Sequence, residues 1–214
     1  MTLPDDDLQF FREVVGPAFP LDPAAERLPR AEPVDPALLR HPVERRLGTP
    51  GDEILTAIGG GFRLLVAVRG RLAEAKLEPY LVTLVRDGAI DEYGLVDDDD
   101  RPDAWVRREG RTWLIEVKTA KPRLASRPRR AINVETQKTR RGSEAGSRYY
   151  RYDQFEILAA CLYQVTGEWS YLFARMRDLA PHPSFPDRLY TMQRIPIPLA
   201  PDGIWREHLF EVLD

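Results

Sequence analysis

Cysteine is nearly absent from this 214-residue chain, and its one copy, Cys161, excludes an internal disulfide and a thiolate zinc cage. Histidine is scarce too: His41, His182 and His208 lie far apart, so no imidazole-rich metal site is expected. Long hydrophobic runs are missing. Runs such as Leu64 to Val68 are far short of a membrane span. The opening Met-Thr-Leu-Pro-Asp-Asp-Asp has neither the basic nor the apolar stretch of a signal peptide, so a reducing cytoplasm is the expected location. A large net charge is also lacking, since 31 Lys plus Arg face 34 Asp plus Glu for a formal charge of -3.

That near-neutral total conceals an uneven distribution. Between Lys118 and Arg151 stand eleven basic residues (Lys118, Lys121, Arg123, Arg127, Arg129, Arg130, Lys138, Arg140, Arg141, Arg148 and Arg151) against two acids, Glu135 and Glu144. Positive charge gathered so locally attracts a polyanion, of which nucleic acid is the commonest, although a charge run can also be a plain solvated loop.

Prolines divide the chain. Nine of them fall in the first fifty residues, leaving room only for short helices such as Asp7 to Val15, and residues 1–58 read as a Pro-rich, acidic arm. A short helix is expected from Asp52 to Ile58, broken by Gly59-Gly60-Gly61. A longer one follows from about Arg63 to Val85, with apolar recurrence at Leu72, Ala75, Leu77, Leu81 and Leu84, kinked or restarted at Pro79. Strands are expected at Tyr93–Val96, Ala104–Arg108 and Thr112–Thr119, the last two joined by a turn at Glu109-Gly110-Arg111. Asp153-Gln-Phe-Glu156 has the form of a capping box, which predicts an apolar helix through Ile157, Leu158, Cys161 and Leu162 to about Gly167. Strands at Trp169–Ala174 and Tyr190–Ile195 and a helix from Ile204 to Val212 complete the pattern. The order α, β, β, β, α, β predicts an α/β fold, a central mixed sheet flanked by helices.

The chemistry concentrates in Pro102-Asp103, twelve intervening residues, then Glu116-Val117-Lys118. Alternation along a strand puts Glu116 and Lys118 on one face with Leu114, and Trp113, Ile115 and Val117 on the other. If the two strands form a hairpin, Asp103 comes close to Glu116. Two carboxylates then converge beside an ammonium, a donor set suited to Mg²⁺, which prefers oxygen ligands. Other Pro-Asp and Glu-x-Lys pairs occur, but only this pairing sets an apolar-backed strand at the right distance.

The spacing resembles the signature of the PD-(D/E)XK nucleases, the group of restriction endonucleases, junction resolvases and RecB-type exonucleases, over roughly residues 65 to 175. The resemblance implies a restriction endonuclease-like core, αβββαβ, within residues 59–214. It implies that Asp103 and Glu116 hold the metal with the main-chain carbonyl of Val117, and that Lys118 assists the attacking water. It also implies a fourth acid, Glu74, in Gly70-Arg-Leu-Ala-Glu74 on the preceding helix. The cofactor would be Mg²⁺, with Mn²⁺ substituting, and the substrate double-stranded DNA. Gln137, Lys138, Arg140, Arg141, Arg148, Arg151 and Gln154 are the candidate nucleic-acid contacts. For Gln154, helix-start chemistry is an equal alternative, and Leu158 stands where some relatives carry a tyrosine four residues later. Tyr150 and Tyr152 are expected to pack the base of that helix, Asp97 to Asp100 to form a solvated loop, and Cys161 to lie in the core. The expected activity is a Mg²⁺-dependent endonuclease of restriction or defence type, with a homodimer as the simple geometry for cutting both strands. A junction, flap or RNA nuclease of the same fold, or a DNA-binding module that does not cut, are the rivals.

Overall fold

The computed structural model describes residues 35, 41–98, 100–122, 131–138, 146–199 and 203–214. The expected helix at Asp7–Val15 and residues Arg123, Arg127, Arg129, Arg130, Arg140 and Arg141 lie outside the described residues. The chain divides into two compact units, Met1–Ala57 and Ile58–Asp214.

In the first unit, helix α1 (Pro42–Leu47) starts on a capping box. His41 accepts the Val43 N–H, Glu44 reaches back to the His41 N–H, Pro42 fills the first position, and Gly48 ends the helix at φ 65°. Helix α2 (Gly51–Gly60) begins there, and it runs through Gly59 and Gly60, so the triple glycine breaks the helix only at Gly61.

The second unit is a mixed α/β structure with a mostly antiparallel sheet flanked by helices. Helix α3 (Phe62–Arg86) leads into β1 (Glu92–Leu95), β2 (Ala104–Arg108), β3 (Arg111–Pro122) and β4 (Ala131–Glu135). Then come β5 (Ile157–Cys161), the one-turn α4 (Tyr163–Thr166), β6 (Tyr171–Arg175), the small hairpin β7–β8 (Pro181–His182, Phe185–Leu189) and β9 (Met192–Pro196). Strands β1, β2 and β3 form an antiparallel meander. The end of β3 continues into β4 and β9, while its middle pairs with β5 in parallel, and β6 closes on β5.

Three elements depart from the sequence expectations. Pro79 does not divide α3: it faces solvent, its missing N–H is tolerated there, and the helix is continuous. The face that α3 buries is Ala73, Leu77, Leu81 and Leu84, whereas Leu72 and Ala75 are exposed. More importantly, residues 157–161 are a strand and not a helix. Ile157, Ala159 and Cys161 enter the core layer under α3, and Leu158 and Ala160 enter a second layer on the opposite face of the sheet. A short run buried on both faces is apolar throughout, and its periodicity cannot separate strand from helix. Glu156 makes no cap. Its carboxylate accepts the Leu114 N–H at 2.7 Å, and its own N–H donates to the Leu114 carbonyl at 2.9 Å, which sets β5 in register with β3. Near the C-terminus, the expected helix is a short 3₁₀ turn, Leu209–Val212.

The β2–β3 connection is tighter than expected. Glu109 and Gly110 alone make it, with φ of 53° and 78°, the two positive angles of a type I′ hairpin. Its register pairs Ala104 with Ile115, which brings Asp103 level with Glu116.

Candidate functional site

Strand β3 supplies the centre. Trp113, Ile115 and Val117 pack toward α3, as alternation requires, and Glu116 and Lys118 project to the other face. That face is not open. It is covered by Tyr150, Phe155, Met176, Leu179 and Leu189, leaving Glu116 only 6% exposed. A buried carboxylate needs donors, and two converge on the same oxygen: the Lys118 ammonium and the Tyr150 hydroxyl both donate to Glu116 Oε1.

Asp103 arrives from the start of β2. Its Oδ2 accepts the Val117 N–H at 2.7 Å. Burial, followed by the charge of Glu116, pushes its carboxyl up to about 7 against the opposing influence of Lys118 and the Val117 N–H. Burial works against the Lys118 charge, yet Glu116, Tyr150 and Asp103 together hold its ammonium above the ordinary range. The Tyr150 phenol is raised by burial, with Lys118 opposing and Glu116 reinforcing.

Glu74 comes from α3 to the same cavity, of about 450 Å³, that Asp103, Glu116 and Lys118 line. It pairs with Arg71, which also reaches Asp97 at 3.0 Å; burial nonetheless raises the Glu74 carboxyl, since it outweighs the Arg71 hydrogen bond. Asp97 is therefore ion-paired at the rim of this cavity, beside Asp98 and Asp100.

The cationic candidates separate. Lys138 lines the cavity, with its Nζ 5.5 Å from the centroid of the Tyr150 ring. Gln154 also lines it, in a turn rather than at a helix start, so no helix dipole accompanies its amide; its Oε1 accepts the Arg151 N–H at 2.9 Å. Arg151 forms an ion pair with Asp153, which caps no helix. Arg148 is exposed, its Nε donating to the Lys138 carbonyl at 3.4 Å, and Gln137 donates to Glu135 at the end of β4. Sequence reasoning passed over Tyr150 and Arg71 as site residues. Nothing in its spacing marks Tyr150, which reaches the cavity through tertiary packing, whereas Arg71 stands three residues before Glu74, the helical spacing that lets the two pair.

Among the described residues, no three His, Cys, Asp or Glu side chains gather closely enough to hold a metal by themselves. The donor set is thus two carboxylates. Each turns one oxygen to the protein and leaves the other, Asp103 Oδ1 and Glu116 Oε2, without a hydrogen bond among the described residues. Two hard oxygen donors opposed by one ammonium fit a divalent cation that completes its shell with water and main-chain oxygen. No family model, no curated protein and no solved structure matches this chain.

Proposed function

We propose that this protein is a Mg²⁺-dependent nuclease that hydrolyses phosphodiester bonds in DNA, with Mn²⁺ able to replace Mg²⁺. The observation that carries the reading is the meeting of Asp103, Glu116 and Lys118, with Glu74, around one cavity. Asp103 and Glu116 would hold the ion through their unengaged oxygens, with the Val117 carbonyl beside them. Bound there, Mg²⁺ supplies a Lewis acid that draws charge from a phosphodiester oxygen. Lys118 keeps its proton and presents a fixed positive charge to the negative charge that develops as water attacks phosphorus. Lys138 and the Gln154 amide, which line the cavity, would hold a flanking phosphate, and the exposed Arg148 would extend the cationic surface outward.

A restriction endonuclease-like core is the fold reading that goes with this. The Asp103-bearing hairpin, the preceding helix with Glu74 and the parallel β3–β5 pair support it. The helix expected after β3, from Asp153 to about Gly167, departs from it: residues 157–161 are strand β5 itself, and among the described residues β4 and the 146–156 loop occupy the connection from β3. A defence-type enzyme acting on duplex DNA is the branch we favour by analogy.

Incubating the purified protein with plasmid, single-stranded and branched DNA, in Mg²⁺ and in EDTA, tests the proposal. Cleavage that needs the metal and disappears in Asp103→Ala supports it. A protein that binds DNA and cuts none of these substrates with either ion overturns it.

A further inference from the structure

Tyr150 stands at the end of a pinned loop. The Leu189 N–H donates to the Tyr150 carbonyl at 2.8 Å, the Lys138 N–H to the Arg148 carbonyl at 2.8 Å, and Arg188 to the Gly146 carbonyl at 3.0 Å. Extended backbone sends neighbouring side chains to opposite sides, so Tyr149 stacks on His182 at 4.2 Å while Tyr150 turns inward. Its ring meets Phe155 edge-on at 5.3 Å and lies 5.4 Å from Lys118 Nζ. Two ammonium groups, those of Lys118 and, at 5.5 Å, Lys138, lie over the ring, whose electron-rich face attracts them. Packing and cations fix the ring, and the fixed ring aims its hydroxyl at Glu116 Oε1.

We infer that Tyr150 is a positioning residue for the metal: its hydroxyl holds the Glu116 carboxylate so that Oε2 faces the cavity. This rests on the proposed metal-dependent reading of the same site. The chemistry is specific to the hydroxyl. With both donors on one oxygen, turning the carboxylate plane away from them would leave the phenol unpaired in a buried place, which costs free energy. With a phenylalanine there, only the flexible Lys118 holds Glu116, and the carboxylate plane is free to swing away from the cavity. Partners that orient a metal-binding carboxylate change metal affinity by about 10- to 100-fold when removed.

The test is Mn²⁺ binding to the full chain without DNA, followed by the electron paramagnetic resonance of free Mn²⁺, in the parent, Tyr150→Phe and Tyr152→Phe. Tyr152 lies in the same loop, and its hydroxyl donates to the Leu179 carbonyl at 3.0 Å, away from the cavity. The expected result is a Tyr150→Phe affinity at least about tenfold weaker, with Tyr152→Phe unchanged. Cooperative thermal unfolding of each variant confirms that it is folded, and the phenylalanine ring keeps the packing. Parent-like Mn²⁺ binding by Tyr150→Phe, or an equal loss in Tyr152→Phe, overturns the Tyr150 assignment and leaves the metal site standing. Failure of the parent itself to bind Mn²⁺ overturns the metal reading, and this assignment with it.

Discussion

Asp103 Oδ2 accepts the Val117 N–H at 2.7 Å although fourteen residues separate them. The reason lies in where the β2–β3 pairing begins. Leu114 bonds toward β5 through Glu156, so by alternation the backbone groups of Val117 point to the opposite edge, the one that β2 covers. Strand β2 begins at Ala104, paired with Ile115, and leaves the Val117 edge uncovered. The Asp103 carboxylate takes the place of a strand there. The same edge carries the Val117 carbonyl, while the cavity itself is lined by the two carboxylates, Asp103 and Glu116, and not by Val117.

Replacing Asp103 with asparagine separates that structural role from charge. The amide oxygen of Asp103→Asn can still accept the Val117 N–H, so the hairpin should keep its geometry and thermal stability. Metal-dependent DNA cleavage should fall by at least about a hundredfold, since loss of a group that acts at the transition state removes several kcal/mol of stabilisation. DNA binding at fixed salt should persist. Undiminished cleavage by this variant would remove Asp103 from the machinery.

The pH dependence follows from the same carboxyl. In the folded, metal-free protein Asp103 is raised to about 7, above the ordinary 3.8. Between those values the folded state retains a proton that the unfolded chain has lost, so stability should decline as pH rises from about 4 to 7 and level off above. Divalent metal needs the ionised form, so its affinity should rise over the same window and its binding should release a proton. Urea unfolding at about pH 5 and about pH 8 without metal measures the first effect, and in Asp103→Asn the difference should shrink.

The hairpin was legible in the sequence because its signals are local. Alternation in Trp113–Lys118 gives the faces, Gly110 gives the turn, and the twelve-residue interval then sets Asp103 opposite Glu116. Strand β5 was not legible, because Ile157–Cys161 is apolar on both sides and its strand character comes from lying between β3 and β6. An Asp153–Glu156 capping pattern pointed to a helix, yet tertiary hydrogen bonding took Glu156 for Leu114. For Tyr150 the sequence favours packing at the base of that segment over a nucleic-acid contact. Its ring does pack, and its hydroxyl reaches Glu116, a partner that only the closed loop brings near.

The strand assignment has its own energetic consequence. Leu158 is wholly buried in the layer opposite α3 and lies beside Glu116 in the β3–β5 register. Leu158→Ala should cost about 2 to 5 kcal/mol, the usual price of a cavity in a packed core. Urea denaturation reads this directly. A change near zero would mean that residues 157–161 do not bury this face.

The cationic surface should show itself in salt dependence, and its members should not contribute equally. Each phosphate neutralised by a lysine or arginine adds about 0.9 to the slope of log affinity against log salt on duplex DNA. Lys138 lines the cavity with no carboxylate partner among the described residues, so Lys138→Ala should lower the slope by about one such step, with little dependence on DNA sequence. Arg151 already has Asp153 as a counter-charge, so its guanidinium releases less on meeting a phosphate, and Arg151→Ala should move the slope less. Fluorescence anisotropy with labelled duplex, in the Asp103→Asn background to prevent cutting, gives both slopes. If Arg151→Ala flattens the dependence more than Lys138→Ala, the phosphate path runs over the outer rim of the 146–156 loop and not through the cavity that holds Asp103 and Glu116.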